Sequence, residues 1–216
     1  MPTGFEDLNG ALAQAQRICW DETVGYRIGG NMDPNTDCSG FIWQCLHDNM
    51  FDVGASRFDT TTQYAVLVNA GFAPYIWGVD TTTPEHGDIF MYDEGGGANG
   101  HTFFYAKNIW GYKNGNLGWE NCNGVIAQLS EAKIEASGTH NHPEDGDQDN
   151  GLGAHTEVWC HSFAGNDPTY GNHTWYVFRW GTTPPTPPGP GPYPGGHLPY
   201  WVMKKIRDKN FTKGGF

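Results

Sequence analysis

Long apolar runs are missing from this chain. Nowhere do about 18 apolar residues follow one another, so no helical membrane span is expected. Basic side chains are scarce too, 12 Lys and Arg against 24 Asp and Glu, for a formal charge of −12. Five of the twelve (Lys204, Lys205, Arg207, Lys209 and Lys213) fall within residues 197–216, opposed there by Asp208 alone. The remainder is therefore strongly acidic, which excludes nucleic acid as a partner. Cysteine is also sparse: five, an odd number, without the spacing of a disulfide framework, so reduced thiols are expected. The opening Met1-Pro2-Thr3-Gly4-Phe5-Glu6-Asp7 is acidic and lacks the apolar core of a signal peptide.

What is present is enough for one well-buried domain in 216 residues. Residues 1–181 read as that domain. Residues 182–196 are a Pro/Gly linker, and 197–216 form a basic tail too short for a core of its own. The tail is either a solvated end or a docking element for a partner. Thr3-Gly4-Phe5-Glu6 matches a capping box, and Phe5, Leu8, Leu12, Ala15 and Cys19 mark one face of a helix over about 5–19. A second helix is predicted over 38–49, a third over 60–70, closed by Gly71. Strands follow at 88–92, 101–106, 133–136, 156–163 and 175–180. Helices first and an antiparallel sheet afterwards is an α+β order. Residues 107–131, rich in Gly, Asn and Trp, read as an insertion whose aromatics either line a substrate groove or fill core.

The chemistry concentrates in two places. Asn35-Thr36-Asp37 supplies capping residues, and Phe41, Ile42, Cys45 and Leu46 carry the helical rhythm that follows, so Cys38 falls in a first helical turn. Unpaired N–H groups there favour a thiolate, the nucleophilic form, and the polar setting points to an exposed sulfur. Ser39 and Gly40 are small enough for a substrate backbone to approach. Cys45, one turn on, reads as buried packing, and Cys19, Cys122 and Cys160 as filler among apolar neighbours. His101 opens the strand His101-Thr102-Phe103-Phe104-Tyr105-Ala106, reached from Asp88-Ile89-Phe90-Met91-Tyr92 through a Gly-rich loop. A histidine at a strand mouth is held rigidly enough to serve the thiol as general base.

These segments, with Tyr26-Arg27-Ile28-Gly29-Gly30, Asp37-Cys38-Ser39-Gly40-Phe41, Gly87-Asp88-Ile89-Phe90 and His101-Thr102-Phe103-Phe104 in order, resemble the NlpC-type cell-wall cysteine peptidases and, in architecture, the related CHAP amidases. The resemblance spans roughly residues 5–180. It implies a papain-like fold with N-terminal helices packed on an antiparallel sheet, Cys38 as nucleophile and His101 as base. It also implies Tyr26, Asp37 and Ser39 as the subsite for the substrate's amino-terminal side. Two departures stand out. The family has Gly where this chain has Phe103. Its third polar residue is matched by Glu135 in Lys133-Ile134-Glu135-Ala136-Ser137, with Glu120 in Trp119-Glu120-Asn121 as the rival. A carboxylate suits the role, since it orients the imidazole and stabilises imidazolium.

The resemblance implies hydrolysis of an amide in the peptide part of bacterial peptidoglycan, with no cofactor required. An endopeptidase cutting after D-glutamate is the leading expectation. An N-acetylmuramoyl-L-alanine amidase, or a non-catalytic module that binds the wall or a virion, is the alternative. Without a signal peptide, a phage lysin acting from the host cytoplasm on the wall, or an enzyme carried in the virion, is expected. The basic tail would then meet a virion component or the wall, and would offset repulsion from anionic wall polymers. Finally, Asp145, Asp147 and Asp149 alternate as calcium-loop ligands do, though position 12 of such a loop would be Thr156 instead of Glu. Calcium and a solvated acidic loop both remain open readings of that segment.

Overall fold

A computed structural model describes residues 6–21, 24–30, 35–93, 100–114, 122–137, 155–160 and 173–181. All belong to the first of two units of the chain, Met1–Pro185. The linker at 182–196 and the tail at 197–216 lie outside the described residues.

Three helices precede most of a sheet, the α+β arrangement expected. The first, α1 (Leu8–Asp21), buries Ala11, Leu12, Ala15, Ile18 and Cys19 along one face. It starts at Asp7, whose carboxylate accepts from Gly10 N–H at 2.8 Å. The helix thus begins about one turn later than predicted, and the capping box at Thr3 falls outside the described residues. The second, α2 (Cys38–Asp48), is buried almost all round and packs against both α1 and the sheet. Its Phe41 meets Phe104 edge to face, ring centroids 6.3 Å apart. The third, α3 (Thr60–Ala70), has a capping box of Asp59 and Thr62 and ends on Gly71, whose φ of 108° is the left-handed turn predicted there.

The sheet holds β1 (Gly25–Tyr26), β2 (Asn35–Thr36), β3 (Ala73–Ile76), β4 (Ile89–Asp93), β5 (Gly100–Asn114), β6 (Cys122–Ser137), β7 (His155–Cys160) and β8 (Tyr176–Arg179). Their spatial order is β2-β1-β7-β6-β5-β4-β8-β3. β1–β2 and one β5–β7 pairing are parallel and the other neighbours antiparallel. The hairpin read from sequence is present, with Ile89 opposite Phe104 and Asp93 opposite Gly100. The supposed insertion is a correction: residues 107–114 and 122–131 continue β5 and β6 as one long ladder, Lys107 opposite Glu131 and Ile109 opposite Leu129. Their Gly and Asn content reads as loop, but a paired neighbour overrides intrinsic strand preference. β1, β2 and β3 were not anticipated, because two to four residues are too few to show alternation.

Alternation along β5 decides what faces what. Phe104 and Ala106 join Ile134 and Ala136 of β6 in the core beneath the helices. Phe103 and Tyr105 turn to the opposite face, where Phe103 stacks on Phe90 at 5.2 Å and 10°. Two polar links tie the layers. Gln63 of α3 donates to Thr102 Oγ1 at 2.7 Å, and Thr102 donates on to the carbonyl of Phe90 at 2.8 Å. Asp88, beside the start of β4, receives Arg179 Nε at 2.8 Å and Nη2 at 2.7 Å, clamping β4 to β8.

Phe41→Ala, which empties a fully buried position, should cost about 3–5 kcal/mol of stability. Ile28→Ala, at 60% exposure, should stay within about 0.5 kcal/mol. Urea unfolding of the two variants beside the wild type measures both.

Candidate active site

The first turn of α2 is built around one carboxylate. Asp37 caps the helix by accepting from Gly40 N–H at 2.7 Å and takes the Ser39 hydroxyl at 3.0 Å. Its other oxygen accepts from Gly29 N–H at 2.8 Å and pairs with Arg57 Nη2 at 2.5 Å. Arg57 Nη1 donates to the carbonyl of Gly30. The turn after Tyr26 is thereby folded against the helix start. Tyr26, Asp37, Cys38, Ser39, Arg57 and Thr60 line one cavity of about 350 Å³.

The three residues assigned to the substrate subsite thus sit together beside Cys38. The carboxylate of Asp37, however, is already held by two N–H groups, a hydroxyl and a guanidinium. Arg57 was not singled out from sequence. Its signal, an arginine two residues before a helix cap, becomes meaningful only once the chain folds back on α2. Thr60 contributes a different feature: the residue borders the same cavity, but its Oγ1 is buried with no hydrogen-bond partner. Gly100 borders the cavity too, and a Cβ there would lie 2.3 Å from Thr60 Oγ1, so the close approach of β5 to α3 requires glycine.

Cys38 is buried, against the expectation of an exposed sulfur, because Tyr26 and its turn cover the helix start. Burial, then the negative charge of Asp37, push its thiol up to about 12. Backbone hydrogen bonds from Thr102 and Ser39 act in the opposite direction, and the charge of Glu135 adds to the rise. The resting group is therefore a thiol, and the helix terminus alone does not ionise it. The bond from Thr102 also sets the sulfur at the end of β5, against the residue that follows His101.

His101 and Glu135 come together as predicted. They lie on adjacent strands, and Nε2 is 2.5 Å from Glu135 Oε2, with both side chains buried. The ring's other nitrogen, Nδ1, points away from that carboxylate. Tyr26, raised by burial and then by Cys38, Asp37 and Glu135, belongs to the same electrostatic neighbourhood and keeps its hydroxyl proton as a donor. Lys133 Nζ lies 2.9 Å from the second oxygen of Glu135. Sequence reasoning passed over it, although two residues apart on a strand is the same face. Cys19 and Cys45 are buried free thiols, as expected. Glu120, the rival third member, lies outside the described residues, as do Asp145, Asp147 and Asp149. Among the described residues no group of three or more His, Cys, Asp or Glu could hold a metal ion, and no helix is long and apolar enough to cross a membrane.

Comparison with protein-family models and with curated proteins finds no match to this chain.

A neutral resting thiol has a kinetic signature. Alkylation of Cys38 by iodoacetamide should climb continuously between pH 6 and about 9, because thiolate remains a small fraction throughout. A rate that is flat across that range would mean a standing thiolate–imidazolium pair, contrary to this account. Cys38→Ala supplies the blank.

Proposed function

We propose that the protein is a cysteine hydrolase of papain-like, NlpC-type architecture that cleaves an amide bond in the stem peptide of bacterial peptidoglycan. The observation that carries this reading is a buried carboxylate bonded to the strand-end imidazole, with a helix-start thiol against the next residue of that strand, Thr102.

Chemically the parts act in sequence. His101 Nδ1 takes the thiol proton as sulfur attacks the carbonyl carbon, so charge separates only when substrate is in place. Glu135 holds Nε2–H and stabilises the imidazolium that forms. The backbone N–H of Cys38, at the open end of α2, and the Tyr26 hydroxyl are donors for the developing oxyanion. The imidazolium returns its proton to the leaving amine. Water, deprotonated by the same ring, then releases the acyl group from sulfur. No metal is needed for these steps.

The choice of bond changes with the geometry. A free acid at Asp37 would favour a substrate with a free amino terminus, hence an endopeptidase. Arg57 neutralises that acid, which removes the argument and brings the lactyl–L-alanine amide forward as an equal reading. A lysin-like setting, acting on the wall from the host side or from a particle, follows from the same resemblance.

Purified sacculi provide the test. Wild type should solubilise them, Cys38→Ala should not, and Glu135→Gln should be slower by about 10³–10⁴-fold. Mass spectrometry of the products separates the two bonds, since amidase action leaves intact stems free of sugar. Unchanged lysis by Cys38→Ala would reduce the protein to a wall-binding module.

A further inference from the structure

We propose that Lys133 is a positioning residue for the His101–Glu135 pair: it holds one carboxylate oxygen so that the other stays on the imidazole, and its charge sets the lower pH limit of the reaction. This rests on the reading of His101 as general base.

Two observations converge on it. Lys133 is buried, with Nζ 2.9 Å from Glu135 Oε1 while Oε2 is 2.5 Å from the ring. The two oxygens of one carboxylate are thus divided between an ammonium and an imidazole. Second, Nζ stands 5.2 Å from the centroid of Phe103, over its ring. Phe103, in turn, is fixed by stacking on Phe90. Lys133 thus touches both Glu135 and Phe103. A glutamate at position 135 brings a full charge into a buried site, and such a charge needs a partner. The ammonium supplies it, and the aromatic ring lies against the ammonium.

The consequence for acid–base chemistry has a definite sign. Glu135 alone would favour imidazolium and disable the base until the pH is high. An ammonium beyond the carboxylate opposes that, because a like charge disfavours protonation of the ring. Other groups act on the same ring region. Tyr26 on β1 and Cys38 and Asp37 at the start of α2 are coupled to Glu135 or to one another. Tyr92 on β4 pairs in register with His101, and His173 stacks on Tyr92 at 4.2 Å. Glu157 on β7 stands in register with Glu135. Lys133 Nζ contacts the carboxylate directly.

The test is the His101 ring titration followed by NMR with labelled histidine, beside the pH profile of kcat/KM on solubilised muropeptides. In Lys133→Met both the ring midpoint and the acidic limb should move up by about one unit, a roughly tenfold loss at a fixed pH below the limb. Lys133→Arg should restore both. Because a lone buried carboxylate endangers folding, a second comparison uses Glu135→Gln with and without Lys133→Met, where adding the latter should again raise the ring midpoint. Midpoints unmoved by loss of the ammonium in both backgrounds, or moved as far by Lys133→Arg as by Lys133→Met, would overturn the proposal. The ring titration needs no turnover, so inactivity of the wild type on peptidoglycan would sink the functional reading and leave this result interpretable.

Discussion

The four bonds made by the Asp37 carboxylate hold the site in its observed form. One oxygen closes the first turn of α2, and the other grips Gly29 N–H and the Arg57 guanidinium. A helix start, a turn from the N-terminal strand and the segment leading into α3 are thereby fixed to one another. Each bond involves a charged acceptor, and those with little water around them are stronger than neutral hydrogen bonds at the surface. The cavity beside Cys38 exists because this carboxylate is saturated from within. The same fact buries the sulfur, and with it the thiol's reluctance to ionise.

Opposed electrostatic effects are the theme of the site. Helix-start and strand N–H groups favour thiolate, while burial and two nearby carboxylates, Asp37 and Glu135, disfavour it, and the second group prevails at rest. The imidazole has an anion against one nitrogen and a cation behind that anion.

Local chemistry made part of this legible from sequence. Capping residues before Cys38, the apolar rhythm of α2 and α3, the stop at Gly71 and the hairpin leading to His101 are short-range signals, and the structure has all of them. Glu135 was reachable only through the resemblance, whose third polar position Lys133-Ile134-Glu135-Ala136-Ser137 matches. The long extension of β5 and β6 was not, since Gly- and Asn-rich segments look alike whether or not a partner strand lies beside them. Burial of Cys38 was misread for a related reason: polar neighbours in sequence suggested water, but those neighbours spend their hydrogen bonds on one another.

The sequence by itself determined the local conformations that carry the reactive groups, because caps, periodicity and turn residues act within a few positions of themselves. It also determined which residue types were available for proton transfer. Only the tertiary structure decided which of them meet. Arg57 reaches Asp37 across 20 positions and Glu135 reaches His101 across 34. Lys133, though only two residues from Glu135, acquires meaning once β6 lies beside β5 and Phe103. Contacts at such separations depend on strand order and layer packing, which no window of sequence contains.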